Sequence, residues 1–420
     1  MSTNASRSAS KTSIRIEGCR SCGGTNLESF LDLGNMPLAD GLLRQNELEK
    51  PESKYPLEVA ICPDCALVQI LHTVPPEELY QKEYPYYSSF SDALLAHSRE
   101  NVESLIKSRK LAKSSFVVEL ASNDGYLLQY YLPHGIEVLG IDPAEGPAMA
   151  ARGKSVETLN AFFDIDLANR LAAEGRRADV IHGNNVLAHV GDLNGFVEGI
   201  RVLLKDDGVA VIEVPYVVDL VDHCEFDTIY HEHHCYFSVT SLNNLFRRHE
   251  LSLNHVQPLK IHGGSLRLFI NRYKDVQQSV VDFLENEKHR GITTFGYYRD
   301  FGRRISALKE ELTAILERLK SDGKRVAAYG AAAKGTILLN YFEVGRDVLD
   351  FVADRNVHKQ GRYMPGVHIP VVDTARIRDD MPDCVLILPW NFKEEIMSQQ
   401  QHYRDAGGKF LVPIPEPTFF

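Results

Sequence analysis

The sequence predicts an α/β protein with a parallel sheet covered on both faces, a small metal-stapled module before it and a second, smaller α/β unit behind it. Three observations carry this. Strand and helix patterns alternate from Ser115 to about residue 272, as in sheets that carry a helix on each crossover. Two C-x-x-C pairs stand near the N-terminus. The alternation stops in a long helical stretch and restarts after Gly323.

The chain of 420 residues is long enough for two or three domains. Hydrophobic residues at 44% and charged residues at 25% are ordinary for a globular protein. A formal charge of -11 argues against a sequence-independent grip on nucleic acid, which needs a basic surface. No apolar run is long enough for a transmembrane helix, so no membrane partner is expected. The opening MSTNASRSASKTS lacks the apolar core of a secretory signal, so residues 1–13 read as a disordered tail on a cytoplasmic protein.

Residues 14–80 read as the metal module. EGCRSCGG carries Cys19 and Cys22, and AICPDCAL carries Cys62 and Cys65. Each pair sits in a tight turn, and two such turns complete a thiolate tetrahedron for structural zinc. Four thiolates leave no open position, so this zinc holds the fold and does no chemistry. Buried or redox-active pairs are the alternative.

Residues 81–275 carry the main sheet. FVVEL is a buried strand, followed by the turn ASNDG and a helix over YLLQYYL. EVLGID, SVETLN, ADVIHGNNV and VAVIEV continue the strands, with helices between them. LSLNHVQPL and SLRLFINR form a closing hairpin through His262, Gly263 and Gly264, as in Rossmann-like enzymes dependent on S-adenosylmethionine. Residues 276–321 read as a helical linker. Residues 322–420 hold the second unit, with strands in RVAAY, LDFVADRN, CVLILPWN and KFLVPIP.

The first strand–helix turn places Glu119, Ala121, Asn123, Asp124 and Gly125 where backbone and helix terminus approach a ligand. Asp142 closes the next strand, about twenty residues on, where a carboxylate accepts both ribose hydroxyls of an adenosyl group. That fits S-adenosylmethionine or NAD. The missing G-x-G-x-x-G and the acidic turn favour the sulfonium cofactor over a pyrophosphate. Asn184 and Asn185 end the fourth strand on the same ligand-bearing edge.

FDTIYHEHHCYFS is the densest chemistry in the chain. Tyr230, His231, Glu232, His233, His234 and Cys235 follow one another just past the fifth strand. A zincin helix would need histidine where Cys235 stands, so the segment reads as acid–base machinery. A metal site built from several histidines and a structural cluster are the alternatives. His189, in NNVLAHV, projects toward the same edge.

Taken in order, the four-cysteine module, ELASNDG, NNVLAHV, IYHEHHCYFS, HGGSLR and YGAAAKG resemble the sugar C-methyltransferases of deoxysugar biosynthesis, the family of the tetronitrose C-3'-methyltransferase. The resemblance runs from about residue 16 to 415. It implies a zinc-binding N-terminal domain, an S-adenosylmethionine domain and a Rossmann-like C-terminal domain that helps hold the substrate. By motif position it implies His233 as general base, with Tyr230, Glu232, His189 and Tyr84 beside it; Tyr86 is the second choice for the tyrosine. His262, Gly263, Gly264, Tyr329 and Lys334 are expected to hold the nucleotide sugar, Lys334 at a phosphate or as a solvated helix residue. Relative to that member, His231 replaces an acidic residue, Ala121 a glycine, and His234 and Cys235 aromatics. The expected reaction is methylation of a dTDP-linked 4-keto-deoxysugar at the carbon beside the ketone, by a monomer or small homo-oligomer. O- or N-methylation, an NAD-dependent sugar-nucleotide enzyme and a non-enzymatic adapter are the rival readings.

Overall fold

The computed structural model describes residues 13–79 and 87–420. Its central sheet has seven strands: β1 Phe116–Leu120, β2 Glu137–Asp142, β3 Thr158–Asn160, β4 Ala178–Asn184, β5 Leu204–Pro215, β6 Ser252–Leu259 and β7 Ser265–Asn271. Their spatial order is β6-β7-β5-β4-β1-β2-β3. β7 runs antiparallel to both neighbours, and β1 to β5 pair in parallel. Burial on both faces explains the continuous apolar runs: all five residues of β1 are buried. The carboxyl ends of β1, β2 and β4 lie side by side, with Glu119 opposite Gly140 and His182. Ligands of open parallel sheets bind along such an edge.

Two elements depart from expectation. The stretch YLLQYYL is not an α-helix but two 3-10 turns, Leu128–Tyr130 and Leu132–His134. Pro133 and the left-handed Gly135 stop the chain before a regular helix is established. Tyr126, Leu127, Leu128 and Tyr131 are buried, and Gln129, Tyr130 and Leu132 are partly exposed. The linker expected over 276–321 is three helices, Gln278–Arg290, Phe295–Tyr298 and Phe301–Ser321. Gly291, at φ 71°, is the left-handed cap that ends the first.

The N-terminal module is a four-stranded antiparallel sheet. Three strands come from the module: Glu28–Pro37, Lys54–Ile61 and Val68–Ile70. The fourth, Cys235–Tyr236, comes from the histidine-rich segment and pairs Cys235 with Gln69 and Tyr236 with Val68. The module is therefore sewn to the segment expected to carry the chemistry.

The C-terminal sheet has the order Val371–Val372, Val352–Ala353, Val326–Tyr329, Cys384–Ile387, Lys409–Val412, Thr418–Phe419. The first five strands are parallel and the last antiparallel. Strand order reverses between Val326–Tyr329 and Cys384–Ile387, which opens a crevice at their carboxyl ends. Among the described residues no helix is long and apolar enough to cross a membrane.

Candidate active site

The metal centre is built by two turns. Cys19 N–H donates to the Gly24 carbonyl, and Gly23, at φ 76°, returns its N–H to Cys19. Cys62 and Cys65 sit in the tight turn after Lys54–Ile61, where Ala66 takes φ 64°. The four sulfurs lie within 4.8 Å of one another, with Cys19–Cys65 at 3.5 Å and Cys22–Cys62 at 3.6 Å. Zinc–sulfur bonds of about 2.3 Å require sulfurs about 3.8 Å apart, so the cage fits the ion. Gln69 Nε2 donates to Cys19 Sγ at 3.2 Å. Among the described residues these cysteines are the only group of three or more potential ligands so gathered, which leaves the histidine string without a metal cage.

The cofactor turn follows β1. Ala121, Asn123 and Gly125 all have left-handed φ, at 56°, 48° and 74°. Asp142 holds this backbone: Oδ2 accepts from Asn123 N–H at 2.8 Å, and Oδ1 from Ala144 N–H at 2.8 Å. Burial raises the Asp142 carboxyl and the two amides pull it back. Ser88 N–H donates to Asn123 Oδ1 at 2.9 Å, and Lys154 Nζ bridges Asp124 Oδ2 and Ser89 Oγ. Around this turn the Glu119 carboxylate faces the Tyr126 hydroxyl, while Asp124 Oδ1, both side-chain ends of Asn184, and Asn185 Oδ1 are buried without a protein hydrogen bond. Burial and the Asp142 charge hold Glu119 well above the usual carboxylate range. Such atoms cost about 1–3 kcal/mol each unless a ligand meets them. A cation carrying an ammonium and ribose hydroxyls does so, and S-adenosylmethionine fits that set of acceptors.

The histidine segment divides three ways. His233 faces Tyr230 and His189. Its Nδ1 lies 2.8 Å from the Thr228 carbonyl, which can only accept, so Nδ1 carries the proton. Nε2 is then the lone-pair nitrogen, and Tyr230 Oη donates to it at 2.9 Å. The His189 ring lies 4.6 Å away, edge to face. Burial, then His189, hold His233 well below the usual imidazole range, and burial pushes His189 down to about 4. His231 turns to the N-terminal module, with Nε2 3.1 Å from the Tyr55 carbonyl. His234 is buried, and its backbone N–H donates to the Ala188 carbonyl at 2.7 Å. Glu232 is buried near Asp40 and Lys359, raised first by burial and then by Asp40. Tyr230 and Thr228, and not Glu232, orient the His233 ring.

The remaining expected residues spread over the junction with the C-terminal unit. Gly263 and Gly264 have φ 92° and 135°; a Cβ would meet Glu225 and Trp390 at the first and Asp219 at the second. Lys334 Nζ donates to Asn391 Oδ1 at 3.0 Å and lies 4.3 Å over the Trp390 ring. Burial lowers its ammonium, against the charges of Asp227 and Glu225. Tyr329 is buried at the crevice, with its hydroxyl 3.4 Å from Gln399 Oε1. Tyr84, Tyr86 and the tail 1–12 lie outside the described residues, as does the side chain of His262. Sequence reasoning passed over Thr228, Asp227 and Trp390, which bear on His233; only the first two lie near it in sequence.

Comparison with known proteins matches three family models in chain order: a zinc binding domain at residues 19–80, a methyltransferase domain at 94–256 and a C-methyltransferase C-terminal domain at 260–415. C-methyltransferase NovU of Streptomyces niveus is 34% identical over 405 residues, 96% of this chain and 96% of its own. Among solved structures, magnesium protoporphyrin IX methyltransferase of Synechocystis PCC 6803 with bound SAM is 13% identical, over 43% of this chain and 82% of that one, with a TM-score of 0.34. The 1,6-didemethyltoxoflavin-N1-methyltransferase of Burkholderia thailandensis is 18% identical, over 45% and 84%, with a TM-score of 0.33.

Proposed function

Because the chain belongs to the C-methyltransferase family, its reaction is a methyl transfer dependent on S-adenosylmethionine, and we propose that the acceptor is a nucleotide-linked 4-keto-deoxysugar, with dTDP as the nucleotide, methylated at the carbon beside the ketone. The observation that carries this reading is the geometry of His233, whose Nδ1 faces the Thr228 carbonyl and so leaves Nε2 as the lone-pair nitrogen. A hydrogen beside a ketone is acidic enough for such a base, because its removal gives an enolate.

S-adenosylmethionine, when bound, supplies an electrophilic methyl on a sulfonium. Glu119, Ala121, Asn123, Asp124, Gly125, Asp142, Asn184 and Asn185 would hold it. His233 Nε2 takes the proton from the sugar carbon once Tyr230 Oη turns its hydrogen away, and the C–H electron pair passes into the enolate. Methyl transfer to the enolate carbon would break the sulfonium's carbon–sulfur bond as the carbon–carbon bond forms, leaving S-adenosylhomocysteine, and the proton would pass from the imidazolium to solvent. Thr228 keeps its carbonyl on Nδ1–H throughout, so the ring does not rotate. The hydrogen that Tyr230 Oη turns away from Nε2 would go to the enolate oxygen, whose charge is worth most to stabilise in a water-excluded site, with His189 beside it. Lys334, Tyr329 and the 262–264 turn would then hold the nucleotide.

The test is His233→Asn. The methyl-transfer rate should fall by about a hundred- to ten-thousand-fold, with S-adenosylhomocysteine binding close to wild type. A variant that keeps the wild-type rate removes His233 as the base.

A further inference from the structure

The protonation geometry of His233 depends on a short turn that the C-terminal unit grips. Residues Phe226–Thr228 form one 3-10 turn, closed by Thr228 N–H to Glu225 O at 3.1 Å and Ile229 N–H to Phe226 O at 3.0 Å. Thr228 then presents its carbonyl to His233 Nδ1. The residue before it, Asp227, is fully buried, and its Oδ2 accepts from Trp390 Nε1–H at 2.9 Å. Phe226 stacks on Phe342 with centroids 5.2 Å apart and also meets Tyr341 at 5.6 Å. Lys334 covers the Trp390 ring. Lys334, Tyr341, Phe342 and Trp390 all come from the C-terminal unit. The turn they hold belongs to the segment that ends in the base.

We propose that Trp390 and Asp227 are positioning residues: through their hydrogen bond the C-terminal unit fixes the Thr228 carbonyl and thereby the tautomer and aim of His233. This rests on His233 being the base. With the carbonyl in place the Nδ1–H tautomer is favoured and Nε2 keeps its lone pair. With the turn loosened, the neutral ring is free to place its proton on Nε2, and that molecule has no base to offer the sugar. Asp227 acts through backbone and touches no reacting atom. Its 163-residue separation from Trp390 makes the link one of tertiary structure alone.

The experiment compares Trp390→Phe, Asp227→Ala and Asp227→Asn in the full-length zinc-loaded protein. Trp390→Phe removes the N–H donor and keeps an aromatic ring under Lys334. Three quantities are read: kcat and KM for a dTDP-linked 4-keto-sugar, the His233 tautomer by nitrogen-15 NMR, and the melting temperature. Trp390→Phe and Asp227→Ala should lower kcat about tenfold to a hundredfold, the scale of a misplaced catalytic group. KM should move little, and Nε2–H should become populated. Asp227→Asn keeps an oxygen acceptor and should recover most of the kcat that Asp227→Ala loses. A docking role alone would raise KM or lower the melting temperature and leave the tautomer as in wild type; that result overturns the proposal. If Trp390→Phe does not fold, the Asp227 pair decides by the same readouts. A wild-type rate in His233→Asn would sink the base itself. An inactive His233→Asn beside an unaffected Trp390→Phe would sink only the positioning role.

Discussion

Asp142 gives the cofactor assignment its sharpest perturbation, because the residue has two jobs that separate experimentally. Each carboxylate oxygen accepts one backbone amide at 2.8 Å, from Asn123 and from Ala144, and the side chain is 4% exposed. Hydrogen bonds to a charged group contribute about 1.5–3 kcal/mol each, so Asp142→Ala should destabilise the protein without cofactor by roughly 3–6 kcal/mol. That is a large share of the roughly 5–15 kcal/mol typical of a folded domain. Asp142→Asn keeps one acceptor and should lose about half as much. On the proposed cofactor placement, the lone pairs that the amides leave free would meet the ribose. Losing that contact, about 3 kcal/mol, should weaken S-adenosylhomocysteine roughly a hundredfold in either variant. Urea unfolding of the protein without cofactor reads the first effect, as a lower midpoint at unchanged slope. Titration calorimetry reads the second. An unchanged midpoint in Asp142→Ala would refute the structural role, and unchanged affinity would refute the placement of the cofactor.

Two further outcomes follow from the same geometry. Purified protein should contain about one zinc per chain, and Cys65→Ser should lose metal and unfold the N-terminal sheet, including the strand shared with Cys235–Tyr236; elemental analysis and circular dichroism check this, and a stable metal-free protein would contradict it. The pH profile follows from the lowered His233. The active form of the base is neutral and its folded pKa is depressed, so activity should stay level from about pH 8 down to 6.5 and fall only below that, as protons reach the ring. A profile with its acid midpoint at or above 6.5 would show that the ring is not desolvated as described.

The element pattern of the main sheet could be read from the chain because both of its faces are buried, which leaves long apolar runs at regular spacing. Ala121 shows the limit of motif reading. Its left-handed φ of 56° is the conformation that a glycine at this point would adopt without cost, yet the turn forms around alanine, with the next amide, of Ser122, held by the Ile141 carbonyl and that of Asn123 by Asp142. The histidine string misleads in a different way. Sequence density suggests one cluster, but consecutive residues point apart: His231 bonds the N-terminal module at Tyr55, while His233 faces Thr228 and Tyr230. Short strands such as Cys235–Tyr236 carry no periodicity, so their partner sheet shows only in the fold. The Trp390–Asp227 bond spans two units and leaves no local mark in either.

The atom that receives the methyl tests the enolate account most directly. The protein is given S-adenosylmethionine carrying a carbon-13 methyl and a panel of nucleotide-linked 4-keto-deoxysugars, and the product is read by carbon–proton correlation NMR. The account predicts a methyl signal coupled through carbon to the position beside the ketone, with the hydrogen of that position lost. A labelled methyl bonded to oxygen or nitrogen would contradict it.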